Sequence, residues 1–409
     1  MGLAVVALLA SALSAAPEKG SEPPLVVRLG VDLVQIDAVV TDKKGRPVTD
    51  LVAADFEVLQ DGRPQAVTQA AYMGSAAAAG APGPAASSLG GEAPPADEPS
   101  EALVFVVDDL ALSLSSVAAT SRALLRFADG MDPEMRVFLL RTSNRIALMR
   151  PVEGPAELRA AARALRYRPQ ARGANLLEDA GGLGVTPFDL QAQATTLYLS
   201  GLLARQSLLS LQDITDALRS WKGRKTLVLF SDGFPIWDPR AREVMAPLDQ
   251  VYGRGEDVLD AVDRLTDLAN RASVVIHTVD PRGLVAAGIS ASDALTSPAS
   301  DAVSNLLLTR RTALHTSQAG LSYLAERTGG VTVVNSNDLG AGVARILSGS
   351  RGYYLVGYEP ERATFGRDRP RFHRLEVKVK RPGLKVRSRK GFFGVSDEAV
   401  AALAPPQAF

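Results

Sequence analysis

The sequence predicts an α/β protein: a doubly wound, mostly parallel sheet with helices on both faces, beside a smaller β-sandwich-like unit. Three observations predict it. From residue 101 onward, short apolar runs of strand length alternate with stretches of helical spacing, the pattern of a sheet covered on both sides. Before residue 73 and after residue 349 the period shortens to two, as in half-buried strands. Each outer segment is too short to bury a core alone, so the two are expected to pair with each other. At 409 residues the chain has length for two or three domains.

Residues 1–16, MGLAVVALLASALSAA, carry an apolar run from Leu3 to Leu13 that is too short to span a bilayer. Ala12-Leu13-Ser14 or Ser14-Ala15-Ala16 supplies a small-residue cleavage pattern, so a secretory signal peptide is expected. No Lys or Arg precedes the run, and a buried N-terminal helix is the alternative reading. No later segment has the length and apolarity of a spanning helix, so no stable membrane insertion is expected after cleavage. In residues 25–73, LVVRLGVDLVQIDAVVTD alternates as a strand, Gly45 and Pro47 signal a turn, and Asp61-Gly62 joins two further short strands. Residues 74–100 are small residues, Gly and Pro, the composition of a flexible linker.

Residues 101–348 hold the alternating block. ALVFVV, EMRVFLLRT, KTLVLFSDGF and SVVIHTVDP read as strands. Their near-continuous apolar character suits strands covered on both faces. Between them, 115–129, GPAELRAAARALRY, 190–221 and GEDVLDAVDRLTDLANRA read as helices. Residues 168–190 and 283–312 read as a loop and a polar insertion, and LSYLAERTGGVTVV closes the block as helix, Gly-Gly turn and strand. In residues 349–395, YYLVGYEP and RFHRLEVKVKRPGLKVRSRKGFF read as a β-meander turning at Pro382-Gly383. Residues 396–409 form an Ala/Pro-rich tail.

Hydrophobic residues make up 46% of the chain and charged residues 22%, which is a globular balance. Lys plus Arg and Asp plus Glu both number 45. A nucleic-acid or polybasic membrane surface needs a positive excess that is absent here. There is no cysteine, which excludes disulfides, thiolate metal sites and a cysteine nucleophile and suits an oxidising compartment.

The chemistry-bearing stretch is VFVVDDLALS, where an apolar run ends in Asp108 and Asp109 and a hydroxyl, Ser113, follows. FSDGF delivers Asp232 in the same way. The ends of parallel strands form a crevice where such groups converge, and Mg²⁺ takes hard oxygen ligands with several waters. These stretches, with VDLVQIDAVVTDKKGRPVTDLVAADFEVLQDGRPQ, GRKTLVLFSDGF, VVIHTVDPRGL and YYLVGYEP…VKVKRPGLKVRSRKGFFG, carry a resemblance. The central block resembles a von Willebrand factor type A domain. The whole chain, over roughly residues 30 to 394, resembles the acidobacterial type of exported proteins called VWFA-related. The resemblance implies a binding module in which a divalent cation on the sheet rim is completed by a partner's carboxylate. Its ligand pattern is D-x-S-x-S after the first strand, a threonine from a second loop and an Asp from a third. Asp232 fits the third-loop position. Asp108 follows the strand directly, but its frame has no serine; the frame from Asp109 keeps Ser113 and has Ala111 at the first serine position. Thr195, Thr196 and Ser207 are the candidates for the threonine.

The implied metal set is thus Asp108, Asp109, Ser113 and Asp232, for Mg²⁺ (or Mn²⁺ or Ca²⁺), in degenerate form. The bland alternative has these aspartates bonding loop amides and helix N-termini. Neither a nucleophile elbow nor a P-loop is present, and His277, His315 and His373 have no metal spacing. No enzyme is therefore expected. Alternation puts many charges of the basic run at residues 378–391 on the solvent face of the meander, with binding of an acidic surface polymer through Lys378 and Lys380 as the alternative. The functional expectation is an exported adhesion or scaffolding module, periplasmic or extracellular. It would bind a protein ligand at the rim through an acidic side chain of that ligand. The alternatives are an envelope structural protein with an inert rim and, more distantly, a hydrolase acting on a surface polymer.

Overall fold

A computed structural model describes residues 34–74, 102–132, 135–144, 149–168, 187–221, 223–234, 236, 258–285, 300–350, 352–361, 364 and 371–393. Several expectations lie outside these residues: the signal peptide, the linker at 75–100, the loop at 169–186 with its Gly-rich GGLGV, and the tail. The described residues belong to one unit of contacts, Leu33–Phe409.

The front of the chain folds as its alternation dictates. β1 (Val34–Thr41) turns Val34, Ile36, Ala38 and Val40 inward. β2 (Phe56–Gln60), β3 (Arg63–Gln65) and β4 (Val67–Gly74) follow. Asp61 and Gly62, with φ of 51° and 79°, make the tight turn from β2 to β3 that favours an Asp-Gly pair. The second strand expected here is two: β3 pairs with β2, whereas β4 joins another sheet.

The central sheet contains β5 (Ala102–Val107), β6 (Val137–Arg141), β7 (Lys225–Phe230), β8 (Val274–Val279) and the short β9 (Thr332–Val333). All pair in parallel, in the order β6-β5-β7-β8-β9. Every residue of β5 and β8 is buried because helices cover both faces. α1 (Leu114–Asp129) and α2 (Gly154–Arg163) lie on one face. α3 (Pro187–Ala217), α4 (Val258–Arg271) and α5 (Ser300–Thr328) pack on the other. α6 (Leu339–Ser348) returns to the first face. α4 shows the cause plainly: Val258, Ala261, Val262, Leu265 and Ala269 recur at helical spacing and are all buried. The expected polar insertion is corrected: residues 300–312 belong to α5, which continues through residues 313–320 into the helix expected from Leu321.

Behind the central domain come β10 (Gly352–Tyr358), β11 (Phe372–Val379), β12 (Lys385–Ser388) and β13 (Gly391–Phe393). They interleave with the front strands as two antiparallel sheets, β12-β1-β10-β4 and β13-β11-β2-β3. Ile36, Val58, Tyr354, Val356 and Tyr358 fill the core between them. Tyr354 accepts a hydrogen bond from the Leu51 amide at 2.9 Å, and Tyr358 donates to Gln60 at 2.8 Å, so the buried hydroxyls are satisfied. The meander is corrected. β11 already has β2 and β13 as neighbours, so after the Pro382-Gly383 turn the chain crosses to the other sheet and β12 pairs with β1.

Candidate functional site

The rim lies where the winding of the sheet reverses. β5 has β6 on one side and β7 on the other. The crevice beyond the ends of β5 and β7 is the ligand position of an open parallel sheet. Asp108 and Asp109 follow β5, and Ser231 and Asp232 follow β7. Ser113 comes five residues after Asp108 and caps α1, its hydroxyl accepting from the Ser116 amide at 3.2 Å.

Asp108 is fully buried and points into a cage of hydroxyls. Thr142 donates to its Oδ1 at 2.9 Å and Ser207 to the same oxygen at 2.6 Å, while Ser231 donates to Oδ2 at 2.7 Å. These donors come from the end of β6, from α3 and from the end of β7, so one carboxylate ties four elements together. Asp109 faces a different set. Its Oδ1 accepts from the Ser143 amide at 2.9 Å and the Thr142 hydroxyl at 3.3 Å. Its Oδ2 accepts from the Ser143 hydroxyl at 2.5 Å and from Arg168 Nε at 3.1 Å.

Asp232 is different again. Its Oδ2 accepts the Ser113 amide at 2.8 Å, whereas its buried Oδ1 has no hydrogen-bond partner. Burial pushes the carboxyl up to about 6, against the pull of the Arg282 guanidinium, the Ser116 hydroxyl and the Ser113 amide. Arg282 does not reach it as a pair, because Arg282 is committed to Asp280 at 2.8 Å through both Nε and Nη2. The Asp232 loop is held by α5 at close range. Gly233 has a φ of 104°, and a Cβ on it would stand 2.3 Å from the Ser317 carbonyl oxygen; a Cβ on Gly320 would stand 2.1 Å from that of Phe234. Only glycine permits either approach.

The sequence-derived set is therefore brought to one rim, but not as one cluster. Ser113 and Asp232 meet directly. Asp108 and Asp109 share Thr142, and among the described residues no hydrogen bond joins either side chain to Ser113 or Asp232. Of the three candidates for the second-loop threonine, Ser207 reaches Asp108; Thr195 and Thr196 sit in α3 with side chains outside the described residues. Thr142, Ser143, Ser231 and Arg168 were missed. Thr142 and Ser231 each directly follow a strand beside β5, which is the one signal that marks them.

A hard divalent ion needs about six oxygens, several from water, around a charged core. The residues present do not fit it. All four oxygens of Asp108 and Asp109 already accept protein hydrogen bonds. Of the hydroxyl positions of the two frames, Leu110 and Leu112 after Asp108 and Ala111 after Asp109 are apolar, and Ala111 and Leu112 are fully buried, Leu112 in the core; Ser113 alone carries a hydroxyl. Asp232 Oδ1 alone is open. Among the described residues no group of three or more His, Asp or Glu is placed to hold a metal ion.

No family model matches the chain, and no curated protein does. Among solved structures, the chain is similar to the crystal structure of an aerotolerance-related membrane protein from Bacteroides fragilis NCTC 9343 with multiple mutations to serines. The identity is 9% and the TM-score 0.30, over 60% of this chain and 98% of that one. A similarity of that size carries no argument, so the site is read from its own geometry. Among the described residues no helix is long and apolar enough to cross a membrane.

Proposed function

We propose that this chain is an exported, non-enzymatic protein-binding module of the von Willebrand A kind, engaging its partner at the rim without a resident cation. The observation that supports this reading is the open, buried Oδ1 of Asp232 at the point where the sheet reverses. An unmet acceptor there favours a partner that brings a donor. Exposed apolar residues lie close in the chain to two groups that act on Asp232, Ser113 and Arg282. Leu114, next in the chain to Ser113, and Leu284, two residues after Arg282, are each 66% exposed. A partner that covers these leucines and, by shifting the rim loops, brings a donor to the buried Oδ1 of Asp232 gains both burial and a charged hydrogen bond.

A second reading, an envelope assembly protein with an inert rim, is favoured by Asp108 and Asp109, whose oxygens all serve the fold. Immobilised full-length protein, exposed to the envelope fraction of its source cells, separates the two. The binding reading expects capture that survives chelator and is lost in Asp232→Ala and Leu114→Asp. Capture that is unchanged in both variants leaves the rim inert.

A further inference from the structure

Among the described residues the three sheets end in β12, β4, β13, β3, β6 and β9. The outer edge of such a strand carries backbone groups able to pair with another chain. Proteins blunt it with shortness, charge, proline or a cover. β9, β3 and β13 have two or three residues each, and β3 also holds Arg63 and Pro64. β12 has four residues, two of them Lys385 and Arg387. β6 ends in Arg141, and its start is covered, the Val152 amide donating to the Val137 carbonyl at 2.7 Å. β4 differs from all of these. It has eight residues, VTQAAYMG, without a charge or a proline, and so runs for about 27 Å.

Among the described residues β4 pairs with β10 and with no other strand. Its register shift falls at Val67, so Gln69 to Gly74 run in unbroken register against Gly357 to Gly352. No bulge therefore twists this part of the edge away. Ala70 and Tyr72 pack on the sandwich core, whereas Gln69, Ala71 and Met73 share the opposite face and are exposed, Met73 by 44%. The short turn Ala53–Asp55 lies near the strand, but its three carbonyls are taken elsewhere. Phe56 bonds that of Ala53, and Lys380 bonds those of Ala54 and Asp55 through its Nζ and its amide.

Charge points to what pairs there. Like charges directly opposite each other destabilise a strand pair, and an uncharged strand laid against its own copy sets none face to face. Lys plus Arg and Asp plus Glu both number 45, so two copies also meet without net repulsion. Antiparallel self-pairing about a two-fold axis keeps the alternation of faces. With Ala71 on the axis, Gln69 faces Met73 of the second copy and Ala70 faces its Tyr72, a small residue opposite a large one. We propose that β4 is a dimerisation edge for a second copy of this chain, which joins two four-stranded sheets β12-β1-β10-β4 into one of eight strands. One strand pair covers less than the roughly 1,200–2,000 Å² of a standard interface, so the association is reversible and depends on concentration. The edge is separate from the rim, and its fate does not bear on the binding reading given there.

The test uses the full chain. Sedimentation velocity from micromolar to millimolar protein reads the mass, and amide hydrogen exchange follows residues 67–74. The expected result is a rise from one to two chain masses, with exchange in β4 slowing as the dimer fills. Gln69→Lys combined with Ala71→Lys sets lysines face to face whether Ala70 or Ala71 lies on the axis. Both positions are exposed, so the fold should hold, and self-affinity should fall about tenfold or more. Gln69→Glu combined with Ala71→Glu is the complement, and an equimolar mixture of the two variants should pair again. A single chain mass at every concentration overturns the proposal. In that case fast exchange means a bare edge, and slow exchange means that another segment of the chain covers it. A dimer of undiminished affinity in the lysine variant places the interface elsewhere and also overturns it, as does a mixture that stays monomeric. Should the variants fail to fold, the concentration dependence of exchange in the wild type decides alone.

Discussion

Replacing Asp232 with asparagine isolates the one open carboxylate oxygen of the rim. Burial raises this carboxyl from 3.8 to about 6. A group with a higher pKa in the folded state holds its proton more tightly there. Its stabilising contribution is therefore complete below about pH 3.8 and is lost as the pH rises through about 6. That gap of about 2 pH units corresponds to about 3 kcal/mol. Asparagine has nearly the same shape, keeps an oxygen for the Ser113 amide, and does not titrate. Relative to wild type, D232N should gain about 3 kcal/mol between about pH 4 and pH 8. Urea unfolding at a series of pH values, in chelator, reads this difference. Asp42, Asp50, Asp61 and Glu157 are held below their ordinary values and drive stability the other way, but they are common to both proteins and cancel. A difference that stays flat with pH, or that moves toward the wild type as pH rises, would show a carboxylate stabilised in its charged form and would refute the reasoning.

Three further outcomes follow from the rim geometry. Asp108→Ala leaves the hydroxyls of Thr142, Ser207 and Ser231 without their buried acceptor, and should cost about 3 kcal/mol or more in urea unfolding; Asp108→Asn should cost less. Arg168→Gln breaks a pair whose arginine is 51% exposed, so the loss should be about 1 kcal/mol or less and should shrink in added salt. Gly320→Ala places a methyl against the Phe234 carbonyl. It should cost about 1–3 kcal/mol and move the Asp232 titration, followed by carboxyl NMR, because the loop that buries Asp232 must shift.

The central sheet was legible because its strands are buried on both faces, so ALVFVV, LVLF and VVI stand out as short apolar runs. The pairing of the outer segments was legible from size alone: neither buries a core by itself, and β1 with β10 and β2 with β11 supply the missing faces. What failed depended on neighbours. The Pro382-Gly383 turn looks like a hairpin turn, but which strand β12 meets is decided by which sheet edge is free. The first half of α5 has no clear apolar stripe, because its fully buried Leu321, Leu324 and Ala325 lie near its end, so a polar helix was read as an insertion. At the rim, the aspartates were visible as charges closing apolar runs. Their partners were not, since Thr142, Ser143 and Ser231 are ordinary hydroxyl residues whose role exists only once β6 and β7 flank β5. That Arg387 and Arg389 reach the central domain, at the carbonyls of Gly349 and Asn270, was hidden for the same reason, as strand period cannot say what covers the outer face.

The central claim is that the rim aspartates serve the fold and leave no donor set for a resident cation. Its most direct test is thermal unfolding of the full chain titrated with Mg²⁺, Mn²⁺ and Ca²⁺ chlorides against chelator at constant ionic strength, with Asp232→Ala in parallel. A native-state ligand raises the midpoint by mass action. The account predicts no saturable rise up to millimolar metal in either protein. A saturable rise in the wild type that disappears in Asp232→Ala would contradict it, and would place an ion on the oxygen that the fold leaves open.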